Sequence, residues 1–163
     1  MADVFLVRVE RRPPRFELRD RGVLIGTLRY TRRPRPVVVA ETDGGGWQLD
    51  RAPLFKADYP ILALGGRREV GRVHERRWTW RASVDFELDG LRCELRGVSV
   101  RRFEWALTAV GGETLHMTIS GRTARRLGPI AVDHPGLVLM GFHLMMSRMR
   151  HKPRGAAAGA AGG

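Results

Sequence analysis

A chain of 163 residues, 43% hydrophobic and 28% charged, is long enough for one sizeable core and too apolar to be intrinsically disordered. Its 20 Gly and nine Pro are scattered as short punctuation, which points to many turns and strands, and its single Cys excludes a disulfide framework and every Cys-rich zinc module. The net charge of +12 rests on 27 Arg and two Lys (Lys56 and Lys152), a lopsided ratio of the kind GC-rich codon usage also produces.

Period-two alternation broken by turn dipeptides dominates the chain. It predicts strands over 4–9, 15–19 and 23–30, separated by Arg11-Arg12-Pro13-Pro14 and Asp20-Arg21-Gly22. In the third of these, Leu24, Gly26, Leu28 and Tyr30 share one face. An arginine- and proline-rich loop follows over 31–36. Strands over 37–42 and 47–50 then flank Asp43-Gly44-Gly45-Gly46 as a loose hairpin, and strands over 61–64 and 69–75 flank Gly65-Gly66. The clearest hairpin spans 82–97. Its Asp89-Gly90 accepts the positive φ angles of a type I′ turn. Two-residue closure then pairs Leu88 with Leu91, Phe86 with Cys93 and Val84 with Leu95 on one face, and Glu87 with Arg92 on the other. In the next hairpin a two-residue loop would put the apolar faces out of phase. A three-residue loop, Gly111-Gly112-Glu113, pairs Leu107 with Met117 and Trp105 with Ile119 and restores one buried face. A last strand is predicted over 123–132, bent at Gly128-Pro129.

The pattern then changes. Asp133-His134-Pro135-Gly136 supplies an N-cap and a proline in the first turn of a helix predicted over 135–150. Its apolar run, Leu137 to Met146, is interrupted by His143 alone. At about 1.5 Å per residue the helix is ~24 Å long, and its apolar run falls short of the roughly twenty residues of a membrane span. A helix apolar on every side is instead buried on every side. Ser147 lies one turn beyond His143, making a narrow polar stripe. That stripe reads as a core histidine hydrogen-bonded inside the fold, or as an internal polar contact for a ligand. Residues 153–163 are Gly/Ala-rich with no core former and read as a disordered tail. About twelve antiparallel strands followed by one apolar helix predict a mostly β single domain over 1–152. The sheet is expected to form a closed or nearly closed barrel around the buried carboxyl-terminal helix, because closure removes unpaired edges.

No constellation for catalysis assembles. Cys93 faces Phe86 on an apolar face, where a thiol is a small hydrophobe. His74, His116, His134, His143 and His151 lack metal-ligand spacing, and the glycine runs lack the Gly-Lys-Ser/Thr ending of a phosphate loop. A non-enzymatic chain without metal or cofactor is expected. What remains is charge, which by chain position gathers towards the carboxyl end: residues 101–163 hold nine basic and three acidic residues. The anion-binding candidates are Arg32, Arg33 and Arg35 in one loop and Arg76 and Arg77 in another. Arg67-Arg68 and Arg125-Arg126 are further basic pairs. The segment 76–81 interleaves Trp78 and Trp80 with arginines, a pattern that stacks bases, sits at a lipid interface, or marks a strand end whose alternate residues enter the core.

The run Phe16-Glu-Leu-Arg-Asp-Arg-Gly-Val-Leu-Ile-Gly-Thr-Leu28 is similar to the repeated "strand, Asp-x-x-Gly, strand" opening of the tubby carboxyl-terminal superfamily, which includes LURP-one-related proteins and phospholipid scramblases. The 86–97 hairpin and the terminal apolar helix resemble the same superfamily, and the order of elements extends the likeness over about residues 3–150. The resemblance implies a non-enzymatic barrel serving as a binding or scaffold module for anionic phospholipid headgroups or an acidic protein partner. No residue aligns with the phosphoinositide-binding lysines and arginines of tubby, and the scramblase cysteine cluster and acidic calcium segment have no counterpart, so no ligand residue is carried over. The first residues show no signal-peptide pattern, and one Cys suits a reducing compartment, so a cytoplasmic chain, at most peripheral to a membrane, is expected. A nucleic-acid-binding β-barrel using the arginine-rich loops is the alternative from a different class.

Overall fold

The computed structural model describes residues 4–31, 37–50, 58–75, 83–99, 104–109, 114–118, 126–127 and 133–150. The alternating segments form β1 (Val4–Arg11), β2 (Pro14–Asp20), β3 (Val23–Tyr30), β4 (Val37–Thr42), β5 (Gly45–Asp50) and β6 (Asp58–Ala63). They continue as β7 (Glu69–Glu75), β8 (Val84–Leu88), β9 (Leu91–Ser99), β10 (Glu104–Ala109), β11 (Thr114–Thr118) and β12 (Arg126–Leu127). The chain finishes in α1 (Pro135–Arg150). The strands lie in one sheet in the order β11-β10-β9-β8-β7-β6-β5-β4-β3-β2-β1-β12. It is an antiparallel meander in which β12 returns beside β1, pairing Val4 with Leu127. The expected mostly β architecture with one helix is therefore present. Among the described residues the hydrogen-bonded pairs do not include one between β11 and β12.

The β8–β9 hairpin has the expected register, with Leu88 opposite Leu91, Phe86 opposite Cys93 and Val84 opposite Leu95. Asp89 and Gly90 take φ +50° and +79° in its turn. Glu87 faces Arg92, with Arg92 Nε 3.4 Å from Glu87 Oε2.

Other expectations change, each for a local reason. A bulge in the β2–β3 pair sets Leu18 opposite Gly26 but Arg19 opposite Leu24. The extra residue, Ile25, packs on the core, and Leu24 is left 42% exposed instead of sharing the inner face with Gly26 and Leu28. The β4–β5 hairpin is tight and not loose: Thr42 pairs directly with Gly45, and the Thr42 hydroxyl donates to the Gly45 carbonyl at 2.9 Å. β6 starts earlier than expected and ends at Ala63, so Leu64 falls in the turn and is 45% exposed. In the β10–β11 pair Leu107 faces Leu115 and Trp105 faces Met117, two residues from the expected partners. Keeping the apolar faces in phase fixes only the parity of a register, and both registers satisfy it. Of the strand expected over 123–132, Arg126 and Leu127 are described; the remainder, like the tail at 153–163, lies outside the described residues.

α1 is the centre of the core. Pro135 occupies its first position, and the His134 carbonyl accepts from the N–H groups of Leu137 (3.1 Å) and Val138 (3.4 Å). Every residue from 137 to 145 is buried. The helix packs against β3 and β4 on one part of the sheet and β8, β9 and β10 on another, so the sheet wraps it from different sides. Its direction follows from its neighbours. At the start, Trp47 Nε1 donates to the Gly136 carbonyl at 3.2 Å. Further on, the Phe142 ring stands edge-on to Phe16 with centroids 4.9 Å apart, and His143 reaches Tyr30 at the end of β3. α1 therefore enters at the end of the sheet that carries the turns 21–22, 43–44 and 89–90. It finishes at the end that carries the turn 12–13.

Candidate functional site

The polar stripe inside the core is held by a tyrosine. His143 is 8% exposed, and its Nδ1 lies 3.1 Å from the Tyr30 hydroxyl, with the ring centroids 5.7 Å apart. Ser147, one turn on, is half-buried. Tyr30 is the last residue of β3, so this hydrogen bond ties the outgoing half of α1 to the sheet. This is the arrangement of a satisfied core histidine, with a tyrosine side chain as partner.

Cys93 is 5% exposed and faces Phe86. Burial disfavours the thiolate and pushes the thiol from 9.0 up to about 11. A folded-state value above the unfolded one means that this contribution to stability is fully present below pH 9 and is lost as the pH rises through about 11. Wild type is expected to lose on the order of 2–3 kcal/mol more than Cys93→Ala across that window, read from urea midpoints at each pH. A thiol reagent should label native protein slowly and denatured protein quickly. Equal pH slopes for the two chains, or fast native labelling, would place Cys93 outside the core.

The outer wall of the sheet carries a series of ion pairs. Glu17 lies between two arginines of its own strand: Arg19 Nε and Nη2 stand 2.9 and 2.6 Å from its Oε2, and Arg15 Nη2 3.6 Å from its Oε1. Arg15 also reaches Glu10 at 3.4 Å. Arg29 pairs with Glu41 at 3.3 Å, Arg72 with Glu69 at 2.9 Å, and His74 Nδ1 sits 2.6 Å from Asp58. Exposed pairs of this kind contribute about 0–1 kcal/mol each. Their larger consequence is electrostatic: at Arg15, Arg19, Arg29, Arg72 and Arg92 positive charge is answered by a carboxylate within 4 Å, whereas Arg8 donates to the Glu10 and Arg11 carbonyls.

The two ends of the sheet differ. An antiparallel meander reverses at every connection, so alternate connections lie at opposite ends. At the end where α1 begins, exposed Arg21, Arg67 and Arg68 are matched by exposed Asp43, Asp89 and Asp133. At the end where α1 finishes stand exposed Arg11 and Arg12, exposed Asp50 and Asp58, and the described strand ends joined by segments 32–36, 51–57, 76–82, 100–103 and 119–125. Those five segments lie outside the described residues, as do the candidates Arg32, Arg33, Arg35, Arg76 and Arg77 within them. By sequence the five hold 12 of the 29 basic residues and none of the 17 acidic ones. The 17 basic residues elsewhere cancel the 17 acidic residues, so the whole net charge of +12 belongs to segments anchored at one end of the sheet.

The fold thus brings the anchors of the two candidate arginine loops, Thr31 and Val37 for one and Glu75 and Ser83 for the other, to the same end. It sends Arg67-Arg68 to the opposite one. The charge excess follows this geometry and not distance along the chain. The signal was available in the sequence: successive connections alternate between acid-free arginine clusters and turns that hold Asp or Glu, apart from 21–22 and 64–68.

Among the described residues no three His, Cys, Asp or Glu side chains are grouped to hold a metal ion, and no helix is long and apolar enough to cross a membrane. No protein-family model, curated protein or solved structure matches the chain.

Proposed function

We propose that the chain is a tubby-like, LURP-one-like barrel of twelve strands closed between β11 and β12 around α1, and that it works without catalysis as a cytoplasmic binding or scaffold module. Its ligand is anionic, a phospholipid headgroup or an acidic protein surface. The approach of the two edge strands, β11 and β12, to one another supports closure. The observation that carries the functional reading is the segregation of charge: 12 basic and no acidic residues in five segments anchored at one end of the sheet, and 17 basic against 17 acidic residues elsewhere. An excess of positive charge attracts anions over a distance set by ionic strength and imposes little chemical selectivity.

The test is co-sedimentation of the full chain with neutral and acidic vesicles, and with single-stranded RNA, across a salt series. Binding to acidic vesicles is expected to weaken steeply as salt rises, since exposed charges are screened beyond ~10 Å at 0.1 M. Absence of vesicle binding at low salt would leave an acidic protein as the ligand. RNA binding that survives high salt would replace this reading with the nucleic-acid one.

A further inference from the structure

We infer that the sheet is built as two leaves hinged at the end where α1 begins, and that they part between β5 and β6 at the end where α1 finishes. This goes beyond the ligand reading above and stands without it. β5 and β6 pair at two positions, Trp47 with Ala63 and Gln48 with Leu62. Both strands run on, to Asp50 in β5 and back to Asp58 in β6, yet Leu49 and Asp50 do not pair with Ile61 and Pro60. β4 and β5, by contrast, pair over their full six residues.

Two features of β6 cause the fork. The Ala63 N–H donates to the Arg68 carbonyl at 2.7 Å, on the β7 side. Backbone groups alternate in direction along an antiparallel strand, so Leu62 and Pro60 turn theirs towards β5. Pro60 has no N–H to give, and the rung that would face Asp50 lacks its donor. The β6–β7 register also shifts between Ile61 and Leu62, where Val70 is the extra residue, and a bulge adds bend and twist at that point. The other end of the same strand pair is tied down. Gln48 Oε1 accepts from the Gly65 N–H at 3.2 Å, and the Leu64 side chain lies over Gly46. That short tied stretch is the hinge.

The fork divides the strands into one leaf of β12 and β1 to β5 and another of β6 to β11. At the second boundary between the leaves, β11 and β12 are not joined by a ladder pair among the described residues. α1 lies between the leaves, on β3 and β4 of the first and on β8, β9 and β10 of the second. Its hydrogen bonds to Trp47 and Tyr30 and its ring contact with Phe16 all run to the first leaf. Leu88, Leu95 and Leu107 face the core from the second. α1 therefore stays with the first leaf, and the second swings about the hinge, uncovering the outgoing half of the helix while its start stays packed.

Nitroxide labels in a Cys93→Ala background measure the separation of the leaves by pulsed electron–electron double resonance, on chains first shown to unfold cooperatively. Asp50→Cys with Glu94→Cys spans the fork, Glu94 being in line with Asp58 through His74 and Asp85. Asp43→Cys with Arg92→Cys spans the same leaves at the hinge. All four sites are exposed, and each pair is roughly 20 Å apart at about 4.8 Å per strand. The distance distribution across the fork is expected to be wider than that across the hinge by about twofold or more, with a longer-distance component. Pro60→Val supplies the missing N–H and should remove that component and narrow the distribution to the width seen at the hinge. Equal widths in the two pairs would overturn the inference. So would a wide Asp50–Glu94 distribution that Pro60→Val leaves unchanged, because the motion would then not arise at the fork.

Discussion

Truncation after Val132 is expected to leave a chain that does not unfold cooperatively. α1 contributes seven large buried apolar side chains: Leu137, Val138, Leu139, Met140, Phe142, Leu144 and Met145. At about 1.5–3 kcal/mol for each, their removal withdraws roughly 10–20 kcal/mol of burial. The whole net stability of a domain is on the order of 5–15 kcal/mol. The loss is also two-sided, because Phe16, Leu28, Ala40, Leu88, Leu95 and Leu107 on the sheet would face water in place of the helix. The expected product keeps strand-like circular dichroism, binds a hydrophobic dye, and shows a broad urea transition. Within the full chain, Leu139→Ala should cost about 3–5 kcal/mol, as a large-to-small change at a fully buried site does. A soluble truncated chain with a sharp transition would show that the sheet holds a core of its own.

How much of this fold could be read from the sequence depended on whether local chemistry or long-range geometry decided each feature. The β8–β9 hairpin was legible residue by residue, because Asp89-Gly90 fixes the turn type and the turn type fixes the register. α1 was legible with its ends, because Pro135 marks the start and an all-round apolar run leaves burial as the one stable outcome. The bulge at Ile25 was not, since alternation continues through Leu24 in sequence and the phase breaks only where β2 and β3 are matched in space. The β10–β11 register was half legible: phase excluded odd shifts and could not choose between even ones.

The candidate site was legible as composition and not as geometry. Arg32, Arg33, Arg35, Arg76 and Arg77 are conspicuous as basic loops, yet Arg67-Arg68 is just as conspicuous and its turn lies at the opposite end of the sheet. Only the alternation of a twelve-membered meander sorts them. His143 was readable as an interruption of the apolar run, but its partner, Tyr30, is 113 positions away and is brought to it by the packing of α1 on β3. Nothing local in either residue names the other.

Gly71→Ala is expected to destabilise the chain by on the order of 3 kcal/mol, although it adds a single methyl group in a strand. Gly71 sits on β7 opposite Leu88 of β8 and opposite Ile61 of β6, beside an irregularity in the β6–β7 pairing. A Cβ built there would overlap the Glu87 carbonyl oxygen and lie 2.9 Å from both the Glu87 carbonyl carbon and Leu88 Cα. These are backbone atoms of a paired strand, so no side-chain rotation relieves the overlap and β7 and β8 must separate locally. Gly136→Ala is the control. Its Cβ would meet Leu88 Cδ2 at 3.6 Å and Trp47 Nε1 at 3.7 Å, ordinary contacts, in the first turn of α1. That change should be neutral or stabilise by up to about 1 kcal/mol. The two variants are compared by urea midpoint and by amide hydrogen exchange, with faster exchange in Gly71→Ala expected at Val73 and Phe86. β7 and β8 are also the anchors of the segment that carries Arg76, Arg77, Trp78 and Trp80, so their separation should weaken binding to acidic vesicles without changing a single charge. A Gly71→Ala chain with an unchanged midpoint would mean that Gly71 does not face Leu88, and that this segment is anchored differently.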